Sequence, residues 1–317
     1  MVNPSSIKSF KKLIQEHNIH TKVIDCNVER SIRRFTAKNK HAAERKRFKR
    51  SANKLISHDF YMQFHEISQD PTLPIIWIDA GIHAREWISS ATAFYLIDKL
   101  LSKDGNHLLK KYQFYIAPNV NPDGYVYSYN RDRFWRKNRS RNDQEKCPGT
   151  DLNRNFPYKW GLHGAEHDEC TESYRGKSAA DQLETQSLVK KLTSIANQTK
   201  LFLTFHAYGQ MILMPYGYKI GVRPINFKEL KRVALKLIFR LWINHNAIYS
   251  TGAPTDLLYP ASGGSFDFTC GTLKIPYSFA IELPDTGTYG FLLPPSFIVQ
   301  IGEQMWDVLQ VFVEEMK

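Results

Sequence analysis

Along the 317-residue chain, short apolar runs alternate with longer stretches in which apolar residues recur every three or four positions. The runs 75–80, 112–117, 201–205 and 277–283 are too short for helices and predict buried strands. The periodic stretches at about 87–101, 179–196, 226–244 and 295–315 predict helices. This alternation predicts an α/β fold: a largely parallel central sheet with helices on both faces. Nearer the start, Ile7, Phe10 and Ile14 mark a short amphipathic helix, followed by a partly apolar stretch at 19–24. No internal repeat and no low-complexity tract interrupts the pattern.

In such sheets ligands gather at the carboxyl ends of the strands, which directs attention to the polar residues there. The run Ile75-Ile76-Trp77-Ile78-Asp79-Ala80 stops at Gly81, and His83 and Glu86 follow three residues apart. A chain turning after the strand can aim an imidazole nitrogen and a carboxylate oxygen at one point, as part of a zinc site. Taken alone, a His and a Glu at this spacing also suit a solvated helix face. His206 ends the third apolar run and Glu282 falls at the end of the fourth, so three strand ends carry metal-compatible side chains.

Composition changes this picture little, but the placement of charge does. The net charge of +12 invites a nucleic-acid or membrane partner. Residues 1–50 hold 14 Lys and Arg against 4 Asp and Glu, whereas residues 51–317 hold 29 against 27. The excess peaks at Arg45-Lys46-Arg47-Phe48-Lys49-Arg50, which suits a trypsin-like or furin-like processing protease. No basic groove interleaved with aromatics follows, so a nucleic-acid partner is not expected. The sequence contains no run of membrane-spanning length, so no membrane partner is expected, and residues 1–20 lack the apolar core of an export signal.

The motifs then point to a family. His83-Ala84-Arg85-Glu86-Trp87, Asn119-Val120-Asn121-Pro122-Asp123-Gly124-Tyr125, Phe134-Trp135-Arg136, Asp151-Leu152-Asn153-Arg154-Asn155-Phe156, His206-Ala207-Tyr208, Tyr259-Pro260-Ala261-Ser262-Gly263-Gly264-Ser265 and Glu282-Leu283-Pro284-Asp285 occur in unbroken order from Pro74 onward. In these stretches the chain resembles the zinc metallocarboxypeptidases of the carboxypeptidase A/B (M14) family. The resemblance implies a mixed, largely parallel sheet and one Zn2+ held by His83, Glu86 and His206, with a coordination position left open for water. It implies Glu282 as general base and acid, and Arg136 as the positive group beside the developing oxyanion. It assigns substrate binding to Arg85, Asn153, Arg154, Tyr208, Tyr259, Phe266 and Phe291. Arg154 offers a two-donor fork for a free carboxylate, Asn153 a neutral donor and Tyr259 a phenolic one.

Specificity in the family turns on the position seven residues after Tyr259, apolar in A-type enzymes and acidic in those that cut after Lys or Arg. Here it is Phe266, and Leu213, Gly217, Pro254, Leu258, Ala261 and Ala280 at other pocket positions bring no charge. Aromatic or aliphatic C-terminal residues are therefore the expected substrates. The resemblance also implies peptide and protein C-termini as partners, an activating protease, a monomer and a secreted zymogen with residues 1–50 as a partial pro-segment ahead of a catalytic domain at 51–317. It pairs Cys147 with Cys170, leaving Cys26 and Cys270 without evident partners. Sequons occur at Asn138 and Asn197, and a glycan at Asn138 would crowd the cleft.

Only 23 residues separate Arg50 from Pro74, where the family places a helix and a pair of strands. The expected consequence is an unpaired sheet edge. The alternative function is a catalytically impaired, truncated product that binds peptide C-termini without cutting them.

Overall fold

The computed structural model describes residues 65–68 and 70–316. The expected pro-segment, its basic junction and Cys26 lie outside these residues. The described chain builds a seven-stranded sheet from β1 (His65–Ile67), β2 (Ile75–Ala80), β3 (Gln113–Ala117), β4 (Thr199–Ala207), β5 (Met211–Leu213), β6 (Ser250–Gly252) and β7 (Tyr277–Leu283), in the order β1-β3-β2-β4-β7-β5-β6. Neighbours β3, β2, β4 and β7 run parallel, as do β5 and β6; β1 on β3 and β5 on β7 are antiparallel. The fold is thus α/β with a mixed, largely parallel sheet.

Period-2 alternation along the central strands feeds two cores. Ile76, Ile78 and Ala80 of β2 join Leu203, Phe205, Phe279 and Ile281 in one cluster. That cluster is covered by α1 (Trp87–Leu101), α5 (Phe227–His245) and α8 (Ile298–Glu315). Ile75 and Trp77 point the other way, with Phe202 and Ala280, toward α4 (Leu183–Ile195) and α7 (Ser265–Gly271). With helices on both sides, all six residues of β2 are buried, which is why it reads as a continuous apolar run. Each fully buried Ile or Phe contributes about 1.5–3 kcal/mol. Shorter helices α2 (Asn106–Leu109), α3 (Pro122–Asn130) and α6 (Pro254–Leu257) sit in the connections.

β1 covers the edge of β3, pairing through His65–Ile67 with Ile116, Tyr115 and Phe114, and is itself the edge strand of the sheet among the described residues. The structure corrects two expectations. The helix expected from 179 starts at Leu183, since Ala180 adopts φ 55°, which a right-handed helix excludes. The final helix begins at Ile298, preceded by a 3-10 turn at Pro295–Phe297.

Candidate active site

The site begins where β2 ends. Gly81 takes φ 69°, and a Cβ there would lie 2.6 Å from Ser90 Oγ and 2.9 Å from Asn119 Oδ1, so the tight turn requires glycine. Its N–H donates to Ser89 Oγ at 3.1 Å, and Ala84 N–H donates to the Arg136 carbonyl at 3.0 Å. This turn delivers His83 and Glu86 to the carboxyl end of the sheet. Glu86 holds the N-cap position of α1 without using its side chain as a cap, so the carboxylate stays free to face His83. The third group arrives on the neighbouring strand: His206 in β4, directly beside Glu282 of β7 in the parallel register.

His83 Nδ1 lies 2.7 Å from Glu86 Oε1, His206 Nδ1 lies 3.2 Å from Glu86 Oε2, and the two Nδ1 atoms are 3.2 Å apart. Ligand atoms at tetrahedral zinc, with bonds of about 2.0–2.1 Å, stand roughly 3.3 Å apart. Two of the three separations match that spacing. All three residues are buried, at 3–4% exposure. Two imidazole nitrogens facing each other at this distance cannot both carry a proton, whereas a cation between them satisfies both. Burial disfavours a charged Glu86, but the His83 and His206 imidazoles overcome it and hold the carboxyl well below its usual range. His83 Nε2 is engaged with Asp151 Oδ1 at 3.2 Å, which leaves Nδ1 as the metal-facing lone pair. The donor set fits one zinc ion.

Around this centre stand the groups expected to do chemistry. Glu282 is partly enclosed, and burial pushes its carboxyl up to about 7, with His206 and Arg136 opposing the rise and Glu86 adding to it. Arg136 donates from Nε and Nη2 to Asp151 Oδ2 at 3.0 and 2.8 Å, and its Nη1 lies 3.9 Å from Glu86 Oε1. Asp151, which in the sequence is only part of a motif with no assigned role, links these groups. It is fully buried and also accepts from the Asn153 backbone N–H at 2.9 Å. Burial opposes its charge, yet Arg136, Arg154 and His83 keep it well below the ordinary Asp value. The signal that could have found it is an acid immediately before Leu-Asn-Arg, with too many positive neighbours to remain unpaired.

The other expected binding residues share the same cleft of about 340 Å³, which is lined by Arg85, Asn153, Arg154, Tyr208, Tyr259, Phe266 and Phe291 together with the metal set, Arg136 and Glu282. Arg154 is buried and spends Nε on the Gly164 carbonyl (2.6 Å) and Nη1 on the Asn153 carbonyl (3.0 Å). Its Nη2 has no protein hydrogen-bond partner among the described residues. Asn153 Oδ1 accepts from Ser265 N–H at 2.9 Å, which leaves its amide N–H groups available. Tyr259 is 54% exposed at the rim, while Phe266 at 6% forms part of the floor with Leu213, Ala280 and Met211. Met211 was not anticipated. Phe291 packs edge-on to Tyr208 with centroids 5.0 Å apart, and the Arg85 guanidinium lies 4.6 Å over its ring. Arg133, also passed over, ties this wall together by donating to the carbonyls of Arg85 (2.7 Å) and Phe291.

Cys147 and Cys170 form a disulfide, and Cys270 is free and buried. The Asn138 sequon does not behave as expected. The side chain is 1% exposed, donates to Gln182 Oε1 at 3.0 Å and accepts from the Thr150 N–H at 2.7 Å, so the folded chain offers no room for a glycan there.

Comparison with known proteins agrees with this geometry. The zinc carboxypeptidase (M14 peptidase) family profile matches residues 28–308. Carboxypeptidase A2 of Mus musculus is 41% identical over 249 residues, which is 77% of this chain and 59% of that protein. Carboxypeptidase B of Astacus astacus is 36% identical over 247 residues, covering 77% of this chain and 81% of the other. The solved structure of bovine thrombin-activatable fibrinolysis inhibitor in complex with tick carboxypeptidase inhibitor aligns with TM-score 0.75 at 38% identity, over 79% of this chain and 84% of that one. The match thus spans less than two thirds of the mouse protein's length. By profile, relatives and fold alike, the chain belongs to the zinc carboxypeptidase family.

Proposed function

We propose that the protein is a zinc-dependent carboxypeptidase that hydrolyses the last peptide bond of its substrates and prefers aromatic or aliphatic C-terminal residues. The observation that carries this is the convergence of His83, Glu86 and His206, with Glu282 beside His206 on the adjacent strand. His83, Glu86 and His206 would hold a zinc ion, which would supply Lewis-acid polarisation of the scissile carbonyl. Glu282 accepts a proton from the attacking water and returns it to the departing amine as the C–N bond breaks, giving a shortened peptide and a free amino acid. Arg136, held in place by Asp151, offers its guanidinium to the developing oxyanion. The substrate's terminal carboxylate is received by Arg154 Nη2 and the Asn153 amide, with the Tyr259 hydroxyl closing over it. Tyr208, Phe291 and Arg85 flank the preceding residues.

The apolar preference rests on Phe266, a buried ring where a cationic side chain would find no counter-charge. The disulfide between Cys147 and Cys170 supports secretion into an oxidising compartment. The basic run ending at Arg50 supports activation by a trypsin-like protease, with the mature chain acting as a monomer.

The test is release of C-terminal Phe, and separately Lys, from blocked dipeptides, before and after limited trypsin treatment and with or without a zinc chelator. Chelator-sensitive release of Phe over Lys is expected. Faster release of Lys would overturn the pocket assignment. Peptide binding without any release from a zinc-loaded sample would point to the non-cutting alternative.

A further inference from the structure

Helix α5 carries a feature that the active site does not use. Its inner face buries Leu230, Val233, Ala234, Leu237 and Leu241. On the opposite side Lys228, Lys231, Leu235, Phe239 and Trp242 follow at steps of three or four, which places them in one row. Leu235, Phe239 and Trp242 are 52%, 62% and 53% exposed. Single exposed apolar residues are ordinary, but a contiguous row of large ones marks an interaction surface. The two rings lie 6.2 Å apart, so they form one patch.

Charge is distributed unevenly along the same row. Other cations of α5 are neutralised: Arg232 by Glu229 and Glu315, Lys236 by Glu315 and Arg240 by Glu314. Lys228 and Lys231 form no ion pair with the described residues, and both are exposed. The row therefore runs from two uncompensated cations to two aromatic rings. We propose that this ridge of α5 docks on an anionic lipid surface. The lysines sit over acidic headgroups, and Leu235, Phe239 and Trp242 enter the boundary between headgroups and acyl chains.

Three features favour this occupant. The two exposed lysines, which form no ion pair with the described residues, complement anionic headgroups. Side chains exposed by more than half form a convex ridge rather than the floor of a groove, which suits a deformable surface. A second copy of the chain would bring the same uncompensated lysines. No described helix is long and apolar enough to cross a membrane, so α5 lies on the surface rather than spanning it. This departs from the expectation of no membrane partner. None of the residues lining the catalytic cleft belongs to α5, so docking leaves the cleft free.

The test is co-sedimentation of the full chain with phosphatidylcholine vesicles, with and without phosphatidylserine, for the native chain, Phe239→Ala/Trp242→Ala and Lys228→Glu/Lys231→Glu. Because all four positions are exposed, circular dichroism is expected to show unchanged folds. The native chain should pellet with the phosphatidylserine vesicles and lose that binding as salt rises, and each double variant should lose about tenfold in partitioning. The proposal is overturned by absence of pelleting or by pelleting that both variants retain. It is equally overturned if the lipid-free chain self-associates and Phe239→Ala/Trp242→Ala abolishes that association, because a second copy then covers the ridge.

Discussion

Asp151 Oδ1 lies 3.2 Å from His83 Nε2, while the other oxygen of the same carboxylate takes two hydrogen bonds from Arg136. One buried acid thus orients both a metal ligand and the proposed oxyanion donor. Asp151→Asn should therefore weaken two functions at once. Zinc affinity is expected to fall about 10–100-fold, as for other outer partners of metal-bound histidines, and kcat/KM should fall further than zinc loading alone explains. Zinc titration alongside turnover at saturating metal separates the two effects; an unchanged affinity would show that the contact with His83 is incidental.

The same carboxylate makes acid stability predictable. Its folded-state pKa lies below the ordinary Asp value of 3.8, so its charge contributes stability that is fully present above about pH 4 and is lost as pH falls through the depressed value. Thermal melts of the native chain and Asp151→Asn should differ most at neutral pH and converge in acid. A gap that stays constant down to pH 3 would mean that Asp151 gains nothing from ionisation.

As the proposed base, Glu282 would act only when ionised, and burial pushes its carboxyl up to about 7. A nearby dication pulls it back down. The expected profile of kcat/KM therefore rises with pH along an acid limb whose midpoint falls at or below about 7. Replacement by Gln should lower kcat by about 10²–10⁴-fold.

Phe266 fills the floor of the cleft at 6% exposure. Phe266→Asp places a carboxylate there that only a cationic substrate side chain can neutralise. The ratio of Phe to Lys release should shift toward Lys by about 100-fold. A variant that still prefers Phe would locate specificity elsewhere, with Met211 the next residue to test.

Asn138 should carry no glycan when the chain is made in a secreting host, because its amide is buried among Gln182, Glu184 and Thr150. Peptide mapping checks this directly. Asn138→Ala should destabilise the fold by about 1–3 kcal/mol, since buried partners are left unpaired.

The sequence makes the central strands legible because helices bury both of their faces: β2, β7 and α1 fall where the apolar pattern puts them. The metal set is legible for a related reason, since the polar residues that end those runs stand out against them. β5 and β6 are not legible. Each is three residues long and is held by pairing with strands distant in sequence, which no local pattern records. Helix α7 is missed because Ser265, Asp267 and Thr269 break the apolar period although all three are buried. The contribution of Asp151 is hidden for a similar reason: its partners lie 68 and 15 residues away, and only the folded chain brings them together.

The most direct measurement compares zinc content and release of C-terminal Phe in the native chain, His206→Ala and Glu282→Gln. One zinc per native chain with turnover is expected, zinc and turnover both lost in His206→Ala, and zinc kept but turnover lost in Glu282→Gln. Turnover at the native rate in Glu282→Gln, or a folded native chain that takes up no zinc, would contradict it.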